Sequence, residues 1–252
     1  MNPRLYFATM LSLAASLLQP CSAMADQLIV YSTVAAKGAL ERIAPEFERA
    51  SGHTVNLKFG SAAELKAEIE KGANFDVALL TSTAIDDLIK QSRLVSGSKA
   101  VVFKSGVGVA AKKGAPAPVV TTPEELKAAV LAAKAVALST QGASGSIVRR
   151  AFEKLGITEA MAPKIVLVSD MTAPEAVVRG RAELAFTQIS EILDTPDSQL
   201  LGPLPADLQS LSVFAIGTAS DTKARDAANA FVKALSSPTA HSHMRAKGLL
   251  PD

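Results

Sequence analysis

Cysteine and histidine are scarce in this sequence, and tryptophan is absent. The single cysteine, Cys21, excludes a disulfide framework and a metal site built from several thiolates. The three histidines are scattered and show no zinc-binding spacing. Lys and Arg number 26 against 24 Asp and Glu, so the formal charge of +2 gives no support for nucleic-acid binding. We therefore predict a protein without a metal, a cofactor or a nucleic-acid partner.

The first 25 residues have the pattern of a secretory signal. Arg4 supplies a positive start, Leu5–Leu18 is an apolar stretch too short to span a bilayer comfortably, and Ala23-Met24-Ala25 is a small-residue cleavage pattern. The alternative is an uncleaved anchor. We expect cleavage before Asp26, export to the periplasm, and a chain that no later hydrophobic stretch holds in a membrane.

The rest of the chain alternates short apolar strands with amphipathic helices. A buried-strand run at Leu28–Tyr31 is followed by a helix with Leu40, Ile43 and Phe47 on one face. With 48% hydrophobic and 20% charged residues, the chain has the composition of a protein with ordinary buried cores. This alternation is typical of βαβ units and predicts an α/β fold with mixed, mostly parallel sheets flanked by helices.

Two long extended stretches, 100–111 and 209–217, interrupt this alternation, and helices at 221–235 and 238–247 end the chain. We predict two lobes joined by two hinge crossings, because the terminal helices need a core to cover. The predicted division is residues 26–103 for the first part of lobe 1, 104–205 for lobe 2, and 206–252 for the return to lobe 1. The alternative is one continuous doubly wound domain.

Small or hydroxylated residues follow strand after strand in the predicted sheets. Ligands of open parallel sheets bind beyond the carboxyl ends of the strands. Helix N-termini there offer unpaired N–H groups and a partial positive charge, which suit a small anion. The candidate anion-binding side chains chosen on this ground are Ser32, Thr33, Ser61, Ser82, Thr140, Ser144 and Thr172.

Charged candidates for chemistry are few. No G-x-S-x-G motif and no catalytic thiol is present, and the histidines lie away from the strand ends. Asp170, which follows a predicted strand, is the one carboxylate expected near the cleft, where it is also suited to helix capping. Arg149 or Arg150 can reach a carboxylate with a planar guanidinium, although both also suit a solvated helix surface.

Seven segments of the chain form a recognisable set: Val30–Ala35, Phe47, Lys58–Ser61, Gly72–Val77, Ala143–Gly145, Leu155–Gly156 and Gly202–Pro205. Together they resemble the molybdate-binding family of periplasmic ABC-transporter receptors. The resemblance covers essentially the whole chain after the signal. It implies a two-lobed type II periplasmic-binding-protein fold, closure over an oxyanion, and a monomer that delivers its ligand to an inner-membrane ABC permease.

The resemblance also implies individual binding positions. The family's first ligand serine falls at Ala35, which has no hydroxyl, and its second falls at Ser61. The backbone donors map near Ser144 and Met171, and the family's tyrosine donor maps to Gln188. These departures indicate a divergent branch whose ligand is a molybdate-like oxyanion or an organic carboxylate.

Two other functions fit the same resemblance. An aconitate isomerase resembles this family of exported proteins, and moving a double bond in a tricarboxylate requires a base and carboxylate clamps. Asp170, Gln188 and Arg149 or Arg150 are the residues available for that chemistry. A sensor subunit that presents its closed form to a membrane partner is the third hypothesis.

Overall fold

The computed structural model describes residues 25–252, which form two sheets covered by helices. The predicted signal segment lies outside the described residues, apart from Ala25. The strands are β1 (Gln27–Thr33), β2 (Thr54–Gly60), β3 (Val77–Thr81), β4 (Ala100–Ser105), β5 (Val107–Lys112), β6 (Val136–Ser139), β7 (Ile165–Val168), β8 (Leu184–Gln188), β9 (Ser198–Pro203), β10 (Ser212–Thr218) and β11 (Leu250–Pro251).

The helices occupy most of the sequence between the strands. They are α1 (Lys37–Ser51), α2 (Ala62–Glu70), α3 (Ser82–Lys90), α4 (Pro123–Ala132), α5 (Gly145–Lys154), α6 (Thr158–Met161), α7 (Ala173–Val178), α8 (Ile189–Asp194), α9 (Arg225–Ala234) and α10 (Pro238–Ala246). Short 3-10 turns at Val34–Ala36 and Ala162–Lys164 complete them. Within the described range, no helix combines the length and apolar character needed to cross a membrane.

Capping boxes fix where three of the helices begin. In each, a Ser or Thr hydroxyl accepts a hydrogen bond from the N–H three residues later, and the Glu there accepts from the capping residue's own N–H. The pairs are Ser61 with Glu64, Thr122 with Glu125, and Thr172 with Glu175. These are the helix starts that the sequence predicts.

Lobe 1 contains the six-stranded sheet, in the order β11-β4-β10-β3-β1-β2. β1 pairs in parallel with β2 and β3, whereas β10 runs antiparallel to β3 and β4. The terminal helices return to this lobe: Phe231 of α9 packs edge-on against Phe47 of α1, with ring centres 5.2 Å apart. Met244 of α10 and Leu28 of β1 belong to the same buried core.

Helix α9 begins later than the sequence predicts. Residues 221–224 form a loop because the Thr222 hydroxyl donates to Asp76 (2.5 Å) and also accepts from the N–H of Ala224 (3.1 Å). These contacts hold Thr222 beside Asp76, the residue that immediately precedes β3. The expectation of a helix starting at Asp221 is therefore wrong by one turn.

Lobe 2 contains the five-stranded sheet, in the order β7-β6-β8-β5-β9. β6 pairs in parallel with β7 and β8, and β5 is antiparallel to β8 and β9. Phe152 of α5 packs edge-on against Phe186 of β8 in its core, at 5.8 Å between ring centres. Both sheets are thus mixed and flanked by helices, which confirms the predicted α/β class. The expectation that they are mostly parallel is wrong, because four strand pairs are parallel and five are antiparallel within the described residues.

The chain crosses between the sheets at Gly106 and again over residues 204–211. A side chain joins the two crossings: Gln209 accepts from the N–H of Val107 (3.0 Å) and donates to the carbonyl of Val107 (2.8 Å). A Cβ at Gly106 would lie 3.1 Å from the Gln209 amide nitrogen, so this passage is tight. The lobe boundaries at 103/104 and 205/206 stay predictions.

Candidate functional site

A cavity of about 270 Å³ lies between the two lobes. Lobe 1 contributes the end of β1, the turn before α2, and Phe214 of β10. Lobe 2 contributes the loops that follow β6 and β7 and the junction of β8 with α8. The cavity therefore lies where strand ends of both sheets meet, as expected for an open α/β sheet.

Helix starts surround this cavity. The residues at or next to them that line it include Thr33 and Val34, Ser61 and Ala62, Gly142 and Ala143, and Thr172 and Ala173. The first N–H groups of a helix lack intrahelical acceptors, and they carry the positive end of the helix dipole. Lys and Arg are absent from the lining residues within the described part of the chain. An anion in this cavity would therefore be held by hydroxyls and amide groups.

One hydrogen bond crosses the cavity from lobe to lobe. The Ser61 hydroxyl donates to the side-chain carbonyl of Gln141, at 3.3 Å, while it also caps α2. Ser61 belongs to lobe 1 and Gln141 to the loop after β6 in lobe 2. A ligand bound at this point would contact both lobes.

The structure brings many of the sequence-predicted residues to this cavity. Those that line it are Thr33, Ser61, Thr140, Met171, Thr172 and Gln188, together with Asp170. The hydroxyls of Thr33 and Thr172 also serve local structure, Thr33 by accepting from the N–H of Ala35 (3.4 Å) and Thr172 by capping α7. Thr140 donates to the carbonyl of Val168 (3.3 Å), joining the two loops of lobe 2.

The other predicted residues lie elsewhere. Ser32, Ala35 and Ser144 are buried and do not line the cavity. The Ser32 hydroxyl donates to the carbonyl of Thr33 at 3.2 Å. Ser82 and Arg149 line a second, larger cavity of about 720 Å³ on the other side of the Gln141–Ala143 segment. The two cavities share that segment and Ala62 as lining residues, so they lie side by side.

Asp170 is paired rather than poised for proton transfer. Its carboxylate accepts two hydrogen bonds from one Arg181 nitrogen, at 3.1 and 3.2 Å. A hydrogen bond from its own backbone N–H, and then the Arg181 guanidinium, hold the pKa of Asp170 below its usual range. Asp170 is thus ionised near neutral pH and is a poor base.

Gln188 is almost completely buried, with 2% of its surface exposed, yet its side chain reaches the cavity. Its amide nitrogen donates to the Ser212 hydroxyl at 3.2 Å, and its carbonyl oxygen has no partner within the described residues. Because a buried polar atom without a partner is costly, a bound ligand or water is expected to complete this group.

Asp170 is not the one carboxylate at the cleft that the sequence analysis expected, because Glu64, Glu175 and Glu191 also line the cavity. Of these, Glu191 is a cleft residue that the sequence patterns did not reveal. It lies on α8, three residues after Gln188, and lines both the inter-lobe cavity and a neighbouring pocket near the start of α1. The Thr187 hydroxyl donates to one of its carboxylate oxygens at 2.7 Å. Burial, and to a lesser extent the charge of Asp194, raise the pKa of Glu191 to about 7. The sequence did offer one signal for Glu191, namely an acidic residue three positions after the predicted cleft residue Gln188 at the end of β8.

Two lobes, two crossings and a polar cleft between strand ends define a two-lobed type II periplasmic-binding-protein fold. Residues 28–250 match the family of bacterial extracellular solute-binding proteins. The chain belongs to this family.

Two relatives are similar in sequence to this chain along most of their length. An aconitate isomerase of a Pseudomonas species is 26% identical over 96% of this chain and 95% of the relative. The molybdate-binding protein ModA of Azotobacter vinelandii is 29% identical over 94% of each chain. The structure of the Azotobacter vinelandii periplasmic molybdate-binding protein superposes with a TM-score of 0.76 at 21% identity, covering 88% of this chain and 98% of the other. This likeness confirms the predicted fold.

Proposed function

We propose that this protein is a periplasmic receptor that closes its two lobes around one small anion and delivers it to an inner-membrane ABC permease. The main support for this proposal is the cavity itself, which is lined by hydroxyls and helix starts from both lobes. The predicted signal segment at residues 1–25 supports export. Hinge closure through the two crossings is the motion that this architecture provides.

The ligand that we propose is a small oxyanion or an organic carboxylate. A cavity of about 270 Å³ suits a small molecule. The molybdate-binding relative supports an oxyanion, whereas Ala35 and Gln188 stand where the resemblance places a serine and a tyrosine. The neighbouring second cavity, lined by Arg149 and Arg150, gives room and positive charge for a longer carboxylate.

A thermal-shift screen tests the receptor function. Molybdate, tungstate, sulfate, phosphate and di- and tricarboxylates are added at increasing concentration, and a true ligand raises Tm in a saturable way. Calorimetry should then give one ligand per chain. If none of these anions changes Tm, the receptor proposal is wrong.

A second candidate function is an isomerase of a small unsaturated carboxylate, and Glu191 favours it. Moving a double bond requires removal of a proton from one carbon and addition of a proton to another, with no net gain or loss of electrons. A carboxyl with a pKa of about 7 can take and return that proton near neutral pH. The aconitate isomerase relative makes cis- and trans-aconitate the substrates to try.

Ultraviolet absorbance of cis- and trans-aconitate separates the two functions. Multiple turnovers that disappear in Glu191→Gln would establish the isomerase. Stoichiometric binding without turnover would support the receptor alone.

A further inference from the structure

We propose that Glu191 contacts the bound anion in its neutral, protonated form, so that capture of a fully ionised anion is coupled to proton uptake by this carboxylate. This inference rests on the proposed receptor function and identifies the cleft residue that makes binding depend on pH. Protonated Glu191 would act as a hydrogen-bond donor to the ligand, whereas its carboxylate would repel it.

The position of Glu191 supports this role. Its side chain forms part of the wall between the inter-lobe cavity and the pocket beside α1, so it meets the same space as Gln188 and Thr172. The Thr187 hydroxyl satisfies one of its oxygens, at 2.7 Å. Within residues 25–252, no Lys or Arg nitrogen lies within 4.0 Å of this carboxylate. Nothing in its immediate contacts therefore neutralises a negative charge there.

The charged groups around Glu191 leave it without a cation of its own. The titratable residues that line the same two cavities are Lys37, Glu41, Arg42, Glu64, Asp170, Glu175, Asp194 and Lys247. Lys247 pairs with Asp194 at 2.6 Å, and Lys37 lies 3.9 Å from Glu41. Arg42 is exposed on α1. β5, β8 and β9, which also pack against α8, present no charged residue to the two cavities.

An anion placed in this cleft makes ionisation of Glu191 still less favourable. Burial and Asp194 already raise its pKa to about 7, so roughly half of the free protein carries this proton at neutral pH. A neighbouring negative ligand raises the pKa further, because like charges disfavour each other. By linkage, affinity is then constant well below pH 7 and falls tenfold for each pH unit well above it.

Calorimetry at different pH values tests the inference with sulfate, molybdate and fumarate, which are fully ionised between pH 6 and pH 8. In the native protein, Kd should rise about tenfold from pH 6 to pH 8. In Glu191→Gln, whose amide is neutral at every pH, Kd should stay constant and match the native value at pH 6. At pH 8, titrations in buffers of different ionisation enthalpy should show close to one proton taken up by the native protein.

Glu159→Gln is the matched control, because Glu159 is exposed on α6 and does not line the cleft. This variant should keep the tenfold change. A carbon-13 NMR titration of the Glu191 carboxyl, assigned by its loss in Glu191→Gln, should show a midpoint near 7 in the free protein.

A native Kd that changes less than twofold between pH 6 and pH 8 would overturn the inference while leaving the receptor function intact. A tenfold change that survives in Glu191→Gln would overturn it as well, and so would an NMR midpoint near 4.5. If none of the three anions binds at either pH, this inference is overturned, whereas the receptor function is wrong only if the whole thermal-shift panel also leaves Tm unchanged.

Discussion

At the scale of single residues, Ser61 makes two contacts with different consequences. Its hydroxyl caps α2, and it also donates across the cleft to Gln141. Loss of the first contact lowers stability, whereas loss of the second changes the surface that meets a ligand. The two roles can be separated because Thr122 forms the same kind of capping box on α4, away from the cleft.

Ser61→Ala should weaken anion binding more than tenfold, about 1.4 kcal/mol, because a hydroxyl contact to a charged ligand is lost. Ser61→Ala and Thr122→Ala should each lose about 1 kcal/mol of unfolding free energy, since both remove a cap. Calorimetry and chemical denaturation measure the two effects. Equal affinities in the two variants would mean that Ser61 only caps its helix.

Glu191 should make the stability of the free protein depend on pH. Its pKa is about 7 in the folded state and near 4.5 when unfolded, so the folded state binds the proton more tightly. Stability is therefore fully present below pH 4.5 and is lost as pH rises to about 7, by up to about 3 kcal/mol. Glu191→Gln should match the native protein at pH 4.5 and exceed it in unfolding free energy at pH 8. Chemical denaturation of both proteins at the two pH values measures this, and equal unfolding free energies at pH 8 would contradict it.

At the scale of elements, α8 of lobe 2 is tied to lobe 1 through Asp194. Its carboxylate accepts from the N–H of Gly38 near the start of α1 (2.8 Å) and pairs with Lys247 after α10. The approach requires a glycine at 38, because a Cβ there would overlap the Asp194 carboxylate. This contact sets how closely α8, and with it Glu191, approaches α1.

Gly38→Ala should therefore lower the unfolding free energy by about 1–3 kcal/mol and loosen α8 from α1. Gly202→Ala is the control, since a Cβ there meets Val120 at an ordinary 3.4 Å. Denaturation of both variants tests the point. A Gly38→Ala protein as stable as the control would show that α8 shifts without cost.

Local signals predicted most elements, and tertiary contacts decided the rest. Capping boxes such as the one at Thr172, and the alternation of β1 with α1, depend on neighbouring residues and were readable. β11 is only two residues long, and its pairing with β4 is a tertiary event without a local pattern. Glu191 was missed for the same reason, because the docking of α8 between the lobes turns its side chain into the cleft. Ser32 and Ser144 follow strands, as cleft hydroxyls do, but packing of the surrounding elements buries both side chains.

At the scale of the whole molecule, the lobes are joined by two crossings, and the Gln209 side chain links these crossings by hydrogen bonds. Its side chain makes both a donor and an acceptor contact with the backbone of Val107. A hinge of this kind must bend while its two crossings stay side by side. The paired contact provides that restraint while leaving each lobe its own core.

Gln209→Ala should lose about 1–3 kcal/mol of unfolding free energy and speed amide exchange at Val107, because two hydrogen bonds between the crossings are lost. Gln199→Ala is the control: Gln199 donates to the carbonyl of Lys112 (3.1 Å) within lobe 2. Hydrogen exchange followed by mass spectrometry measures the difference. Unchanged exchange at residues 105–108 would mean that the crossings hold without this side chain.

One arrangement is central to the proposed function: peptide N–H groups at the helix starts of both lobes donate hydrogen bonds to the same bound anion. Amide NMR spectra during titration with the anion that raises Tm most test it directly. The signals of Ala62 from lobe 1 and of Ala143 and Ala173 from lobe 2 should shift together and stop at one equivalent. Shifts confined to one lobe, or spread over the outer surface, would contradict it.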